Sequence, residues 1–228
     1  MIEDSFGRFD YLAASDECGR GPLAGPVVAC SVGISQEFFM NYSEKLKGIG
    51  VKDSKKITPL KIEKIIQSLG LPSNAIKNFK GRKRIRSHRF DKLDVSLSLK
   101  SNTYIDDNNI LVASLEAMKS SFSYLENLNF DQQKVLWLID GPHAPKTKNR
   151  HNLIIKPIIK GDSKSALIGL ASIIAKYYRD KLMEKMDEVY PGYGLAKHKG
   201  YPTKVHLEAI RKLGPSDVHR KSFRGVIV

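Results

Sequence analysis

Apolar and polar positions follow two periodicities along this chain, and the shorter one marks candidate strands. Runs rich in apolar and β-branched residues at 9–15 and 26–34 predict two strands. The run KVLWLID at 134–140 is continuously apolar between its terminal Lys134 and Asp140, which is typical of a buried central strand. NLIIKPIIK at 152–160 predicts another strand, in which Pro157 favours an edge position or a bulge.

Helical periodicity governs most other segments. Residues 57–72 predict a helix that Thr58 caps and Gly70 ends. Residues 163–190 predict a long helix that is buried in its first half, and 203–215 predict a last helix. The helix at 108–128 carries apolar residues at steps of four and three, which form one stripe: Leu111, Leu115, Met118, Phe122 and Leu125. Strands come first and then alternate with helices, which predicts a mixed α/β sheet with helices packed on it and a helical C-terminal extension.

Length and composition limit the class of protein. The 228 residues suit one domain or one domain with a small appendage, and 41% hydrophobic with 27% charged residues is typical of a soluble globular protein. No apolar run approaches the roughly 18 residues that span a membrane, and the N-terminus lacks the features of a signal peptide. Two cysteines predict no disulfide framework. These features favour a cytoplasmic protein.

The charge balance indicates a class of binding partner. Lys and Arg outnumber Asp and Glu by 38 to 24, which gives a net charge of +14 and favours polyanions because phosphates release counterions when cations bind them. An ordinary basic protein is the alternative. Residues 77–92 hold eight Lys or Arg against one Asp. They predict either a phosphate-contacting arm, which neutralising Arg82, Lys83, Arg84 and Arg86 would weaken, or a solvated segment.

Four carboxylates lie at predicted element ends. Asp16 and Glu17 follow the first strand, Asp140 ends a buried strand, and Asp162 precedes the long helix. Loops at one edge of an α/β sheet collect such residues. Gathered carboxylates repel one another, and Mg²⁺ relieves the repulsion because it prefers oxygen ligands. Two such ions about 4 Å apart support phosphodiester hydrolysis.

Structural roles remain open for some of these residues. Asp162 is also a candidate cap of the long helix, and Asp140 a strand-end turn residue before Gly141. Adjacent charges at the buried end of a strand cost free energy, so the pair Asp16 and Glu17 is harder to explain as structure. No spacing of His and Cys typical of a zinc site occurs. The residues alone thus indicate a metal-dependent enzyme acting on a polyanion.

Six blocks in order resemble the bacterial ribonuclease HII family. They are DECGRGPLAGPVVA, KDSKKIT, LIDG, KGDSKSALIGLASIIAKYYRD, YPGYGLAKHKGYPTKVHLEAIRKLGP and HRKSF. The resemblance implies a ribonuclease H-like fold, a five-stranded mixed sheet flanked by helices. It also implies a catalytic domain over 1–190, with a basic insertion near 71–92, and a helical substrate-binding region over 191–228.

The activity that the resemblance implies is cleavage of RNA in RNA–DNA hybrids, and of duplex DNA on the 5′ side of single ribonucleotides, leaving 3′-hydroxyl and 5′-phosphate ends. Mg²⁺ or Mn²⁺ is the implied cofactor, and a monomer is expected. The resemblance implies that the catalytic and metal-binding residues are Asp16, Glu17, Asp140 and Asp162. It implies that the substrate-binding residues are Gly19, Arg20, Gly21, Lys55 and Tyr201. Asp180 is interpreted as a helix-surface residue.

The chain also departs from the family. Cys18 stands where alanine or valine is usual, and the stretch that contains residues 77–92 is longer than in typical members, so no role for it follows from the resemblance. Two alternatives remain: a ribonuclease HIII-like enzyme that cuts only long hybrids, and a non-catalytic basic protein that binds nucleic acid. The first is disfavoured because that type carries a further N-terminal binding domain.

Overall fold

A six-stranded sheet forms the centre of the computed structural model, with strand order β3-β4-β2-β1-β5-β6. The structure describes residues 5, 7–41, 57–76, 81–87, 89–90, 92–126, 133–148 and 150–226. The strands are β1 (Tyr11–Cys18), β2 (Val27–Ser35), β3 (Arg82–Arg86), β4 (Asp94–Lys100), β5 (Val135–Asp140) and β6 (Leu153–Ile158). β1 pairs antiparallel with β2 and parallel with β5, so the predicted mixed sheet is confirmed.

Helices cover both faces of the sheet. They are α1 (Pro59–Ser68), α2 (Asn102–Asn108), α3 (Ile110–Glu126), α4 (Gly161–Lys164), α5 (Ala166–Val189), α6 (Leu195–His198) and α7 (Lys204–Leu213). Side chains alternate along β1, so Leu12 and Ala14 pack with α1 and α5 on one face, and Ala13 packs against α3 on the other. A smaller apolar cluster joins the β1–β2 connection to the C-terminal helices. In the described part of the chain, no helix is long and apolar enough to cross a membrane.

The sheet has six strands where five were expected. The additional edge strand, β3, comes from the basic segment at 77–92 and occupies half of the described residues of that segment. Its alternation exposes charged residues and buries Ile85 against the core, which is enough to pair it antiparallel with β4. Pro157 lies in β6 at the opposite edge, as predicted, because an edge strand tolerates a missing N–H donor.

Helix α3 buries a different stripe from the predicted one. Met118, Phe122 and Leu125 are buried as expected, but Leu111 and Leu115 are only half-buried. Ala113 and Ala117 are fully buried instead. Small side chains on the inner face let the helix approach the sheet closely, and larger ones lie at the margins. Phe122 then stacks on Trp137 of β5 with ring centroids 3.9 Å apart.

Candidate active site

A cavity of about 450 Å³ opens at the edge of the sheet where β1 and β5 end. The parallel register places Ser15 beside Ile139, so the next residues, Asp16 and Asp140, fall at neighbouring strand ends. The cavity is lined by Asp16, Glu17, Cys18, Gly19, Arg20, Gly21, Asp140, Ser172, Lys176 and Tyr201. Seven of the nine residues that the sequence nominated therefore line one cavity.

The other two candidate site residues are Asp162 and Lys55. Asp162 is buried in the first turn of α4, and it is not among the residues that line the cavity. The cap of the long helix α5 is Ser165, whose hydroxyl accepts a hydrogen bond from the Ile168 amide at 3.0 Å. A role for Asp162 as that cap was therefore the wrong alternative. Lys55 lies outside the described residues.

Like charges act on one another in the cavity. Burial raises the pKa of Asp16 well above its usual range, and the neighbouring carboxylates of Glu17 and Asp140 raise it further. The Ser172 hydroxyl and the Glu17 amide both hydrogen-bond the Asp16 carboxylate and oppose that shift. Burial also raises the pKa of Glu17, against which Arg20 acts through an ion pair of 3.5 Å. The carboxylates are thus held in a place that disfavours their charge.

The donor set fits a hard divalent cation. Buried carboxylate oxygens that repel one another are stabilised by a cation that binds oxygen, and no imidazole lines the cavity. Among the described residues, no three His, Cys, Asp or Glu side chains are grouped closely enough to hold a metal ion as they stand. The carboxylates that line the cavity are the candidate ligands of such an ion.

Gly161 was not among the site residues predicted from the sequence, although it positions Asp140. Its amide donates a hydrogen bond to Asp140 Oδ1 at 2.6 Å. A Cβ at this position would lie 3.1 Å from the same oxygen and 2.6 Å from Ile168 Cδ1. A side chain at position 161 would therefore crowd Asp140 and Ile168, and glycine lets the backbone approach Asp140 this closely without displacing them.

One face of α5 adds polar residues that were also not predicted. Ser172 contacts Asp16, and Lys176 lines the same cavity. Lys176 Nζ lies 2.8 Å from Asp180 Oδ2. Asp180, interpreted from the sequence as a surface residue, is therefore a half-buried partner of a cavity lysine. Their spacing could have identified them from the sequence. Ser172, Lys176 and Arg179 recur at i, i+4 and i+7 in an otherwise apolar run, which places them on one face of the helix.

Tyr201 packs beside the glycine-rich loop. A Cβ on Gly21 would lie 3.5 Å from Tyr201 Cε1, so the ring is in contact with that loop, and 45% of Tyr201 is exposed. The Leu23 amide donates to the Gly200 carbonyl at 2.7 Å, which ties the loop before Tyr201 to the β1–β2 connection. Two segments almost 180 residues apart in the chain thus form one wall of the cavity.

Two buried histidines support the backbone of Tyr201. His206 Nδ1 lies 3.0 Å from the Tyr201 carbonyl, and His206 Nε2 lies 3.1 Å from His219 Nε2. The Ser216 amide donates to His219 Nδ1. A carbonyl only accepts and an amide N–H only donates, so neutral His219 carries its proton on Nε2 and neutral His206 on Nδ1. Both pKa values are lowered, by burial first, to about 4 for His206.

This arrangement predicts a loss of stability in acid. The folded pKa of His206 lies below its ordinary value of 6.5, so the unfolded chain binds the extra proton as pH falls from about 6.5 to about 4. The free energy of unfolding should fall over that window by about 3 kcal/mol from His206 alone. Urea unfolding at pH 7 and pH 4.5 measures the change.

The matched variant is His206→Asn, whose side-chain amide can still donate to the Tyr201 carbonyl. It should lose less stability between the two pH values than the original chain does. His151→Asn, at an exposed histidine, serves as the control and should leave the pH dependence unchanged. An equal loss in the original chain and in His206→Asn would contradict the assignment.

Comparison with known proteins agrees with the fold. The family model for ribonuclease HII matches residues 13–226. A ribonuclease HII from Chlamydia caviae is 42% identical over 226 residues, which cover 97% of this chain and 88% of that protein. Ribonuclease H2 from Pyrococcus horikoshii OT3 superposes with a TM-score of 0.60 at 24% identity, covering 95% of each chain. Bst-RNase HIII in complex with Mn²⁺ gives a TM-score of 0.64 at 16% identity, covering 95% of this chain and 68% of that one.

The family match and the curated relatives identify the chain as a ribonuclease H, a hydrolase that cuts the RNA strand of RNA–DNA hybrids. Within that class, the chain belongs to the ribonuclease HII family. The expected family and the expected ribonuclease H-like fold are thereby confirmed, and the non-catalytic alternative is not supported.

Proposed function

We propose that this enzyme also cuts duplex DNA on the 5′ side of single embedded ribonucleotides, leaving 3′-hydroxyl and 5′-phosphate ends. The observation that carries the proposal is that one cavity is lined by carboxylates, by the backbone of the Gly19–Gly21 loop and by the Tyr201 ring. Groups suited to hydrolysis and groups suited to reading a sugar therefore face the same space.

Hydrolysis would use two divalent cations, Mg²⁺ or Mn²⁺, held by Asp16, Glu17, Asp140 and Asp162. Divalent-metal dependence is general in this family, and the Mn²⁺ complex of the structurally similar ribonuclease HIII supports that choice of ion. Bound ions would activate a water and stabilise the leaving oxygen. Of the protein groups, Ser172 and the Glu17 amide orient Asp16, and Gly161 orients Asp140.

Recognition of the ribonucleotide requires reading one 2′-hydroxyl. Peptide groups of Gly19, Arg20 and Gly21 can approach a sugar without side-chain bulk, and the Tyr201 ring offers a flat face to pack on the sugar or base. Lys176 in the cavity wall, together with Lys55, would contact backbone phosphates, which hold the duplex without reading its sequence.

A single assay tests the proposal. A DNA duplex carrying one ribonucleotide, incubated with and without Mg²⁺, should be cut once at the 5′ side of that nucleotide, and only when the metal is present. A sequencing gel locates the cut. Cleavage of long hybrids without cleavage of this duplex would instead indicate a specificity like that of ribonuclease HIII. The enzyme is proposed to act as a monomer, which light scattering during the assay can check.

The basic segment is proposed to extend the surface that binds the duplex. Cross-strand register aligns Lys83 with Asp16, and Arg82 with Glu17, through β4 and β2. These two cations therefore lie at the same end of the strands as the cavity. β3 is three inter-strand spacings, or about 14 Å, from β1. Arg84 is different, because it pairs with Asp94, which also accepts from the Tyr11 hydroxyl.

Neutralising Arg82 and Lys83 together is therefore expected to weaken binding without disturbing the fold. Arg82→Gln/Lys83→Gln should lower the salt dependence of log K by about 1–2 units of slope and affinity at low salt by about tenfold. Titrations at several NaCl concentrations measure both. Including Arg84 in the change would confuse the result, since the half-buried Asp94 would lose its cationic partner and keep only the Tyr11 hydroxyl.

The charge-matched control lies at the opposite edge of the sheet. Lys148 and Arg150 precede β6, which runs parallel to β5 and β1, so they lie away from the strand ends that carry the carboxylates. Lys148→Gln/Arg150→Gln should leave the salt slope unchanged. Equal effects from the two double variants would mean that total charge, and not the position of β3, governs binding.

A further inference from the structure

Two fully buried arginines hold the loop that the proposed function assigns to ribonucleotide reading. Arg179 lies on α5, and Arg220 lies in the C-terminal segment; both side chains have 0% exposure. Their guanidinium groups donate to backbone carbonyls of the β1–β2 connection and of the loop before Tyr201. Arg179 donates to Pro26, Lys199 and Ala24 at 3.1, 3.0 and 3.3 Å, and Arg220 donates to Gly25, Arg20 and Gly19 at 3.0, 3.0 and 2.6 Å.

The burial of two neighbouring cations is costly. Burial, followed by the neighbouring charge of Arg179, lowers the pKa of Arg220 to about 9, and burial also lowers the pKa of Arg179. Carbonyl oxygens compensate only part of that cost, and apolar packing at the same positions would avoid it. Two costly groups thus lie side by side, and their planar sets of donors fix the directions of six carbonyls in the β1–β2 connection and in the loop before Tyr201.

The contacts of Arg220 fix which way the loop presents its donors. The Gly19 carbonyl and the Arg20 amide belong to one peptide unit, and the Arg20 carbonyl and the Gly21 amide belong to the next. A planar trans peptide directs its C=O and N–H to opposite sides. Because both carbonyls turn toward the buried Arg220, both amides turn away from it.

The loop also depends on Arg179. Gly19 has φ +100°, and a Cβ there would overlap the Arg179 guanidinium, so only glycine permits this approach. The same guanidinium donates to the Lys199 carbonyl, two residues before Tyr201. One side chain therefore joins the glycine loop to the segment that carries the tyrosine.

We propose that Arg220 and Arg179 are positioning residues that orient the Arg20 and Gly21 amides toward the 2′-hydroxyl and so set the preference for ribonucleotides over deoxyribonucleotides. The two guanidinium groups form what we term the carbonyl clamp. The assignment of ribonucleotide selectivity to the clamp rests on the proposed function, and the effect of the clamp on loop conformation does not. Neither residue touches the substrate in this role.

The test uses Arg220→Lys, which keeps the positive charge but replaces a planar fork with one ammonium group. Hydrogen–deuterium exchange should be faster in the peptide covering residues 16–26 and unchanged in β5. In an Asp16→Asn background with Ca²⁺, the ratio of affinities for a duplex with one ribonucleotide and an all-DNA duplex should fall by about tenfold, which equals about 1.4 kcal/mol. Affinity for the all-DNA duplex should stay unchanged.

The control for lost stability is Ile210→Ala. Ile210 is buried in the C-terminal apolar cluster and takes part in none of the clamp's hydrogen bonds. It should lower the melting temperature without changing loop exchange or the affinity ratio. If Arg220→Lys does not fold, Arg179→Lys is measured in the same way, since Arg179 donates to the Pro26 and Ala24 carbonyls within the same 16–26 peptide.

The outcomes separate the clamp from the function. Unchanged exchange at 16–26 in a folded variant overturns the clamp, whatever the activity. Faster exchange with an unchanged affinity ratio overturns its role in selectivity. An original chain with no preference for the ribonucleotide overturns the proposed function and with it the selectivity role, while loop exchange still decides whether the clamp holds the loop.

Discussion

Replacing Asp16 by asparagine is expected to lower the cleavage rate by about a thousandfold or more, because metal-assisted stabilisation of several kcal/mol is lost. Asparagine retains an oxygen that can accept the Glu17 amide hydrogen bond, so the end of β1 should keep its conformation. Affinity for an RNA–DNA hybrid should change by no more than about threefold, since phosphate contacts to the basic surface remain. Single-turnover cleavage and fluorescence anisotropy measure the two quantities.

The melting temperature of Asp16→Asn, measured with and without metal, tests the role of Asp16 independently of the cleavage rate. Burial beside Glu17 and Asp140 disfavours the charge of Asp16, which is why its pKa is raised. Removing the charge should therefore raise the melting temperature in EDTA by about 2–4 °C. Mg²⁺ should stabilise the original chain but not Asp16→Asn, because a ligand stabilises the state that binds it.

The matched control is Asp107→Asn, an exposed acid on α2 that does not line the cavity. It should leave the rate and both melting temperatures unchanged. Full cleavage by Asp16→Asn in Mg²⁺ or Mn²⁺ would remove Asp16 from the catalytic residues, and equal stabilisation of both chains by Mg²⁺ would remove it from the metal ligands.

The convergence of Asp16 and Asp140 was predictable because strand geometry decides it. Both residues end apolar runs, and parallel neighbours in a sheet bring their carboxyl ends to one edge. Asp162 follows β6 by only four residues, but whether a side chain beyond a strand turns into the cavity depends on the local path of the backbone. Periodicity carries no information on that path, so its place in the site stays a prediction.

The carbonyl clamp was not predictable from local pattern. Arg220 and the Gly19 carbonyl are 201 residues apart, and an arginine in HRKSF is typical of a surface segment. Only the three-dimensional fold shows that its guanidinium is buried against a loop. Arg179 had a weak signal, since its spacing from Lys176 and Ser172 places it on the polar face of a buried helix.

Strand β4 had a readable signal that charge obscured. Val95, Leu97 and Leu99 alternate with polar residues at a period of two, which is typical of a strand. The basic residues just before it dominate that part of the sequence and favour an exposed arm. In β3 the same charges are compatible with an edge strand, because charged side chains discourage pairing with another sheet.

Replacing Tyr201 by alanine is expected to lower kcat/KM on a duplex with a single ribonucleotide by about 10- to 100-fold, since an aromatic face on a nucleotide contributes about 1–3 kcal/mol. The side chain is 45% exposed, and its backbone carbonyl keeps the His206 hydrogen bond, so the fold should be unaffected. Steady-state kinetics on that duplex and on a long hybrid measure the loss on each substrate.

Two further variants separate the ring from its position. Tyr201→Phe keeps the flat face beside Gly21 and should stay within about threefold of the original rate, if ring packing rather than the hydroxyl supplies the free energy. Leu213→Ala, at a half-exposed apolar residue at the end of α7, should change neither rate. An unchanged rate for Tyr201→Ala on the single-ribonucleotide duplex would exclude Tyr201 from ribonucleotide sensing, and an equal loss for Tyr201→Phe would assign the effect to the hydroxyl.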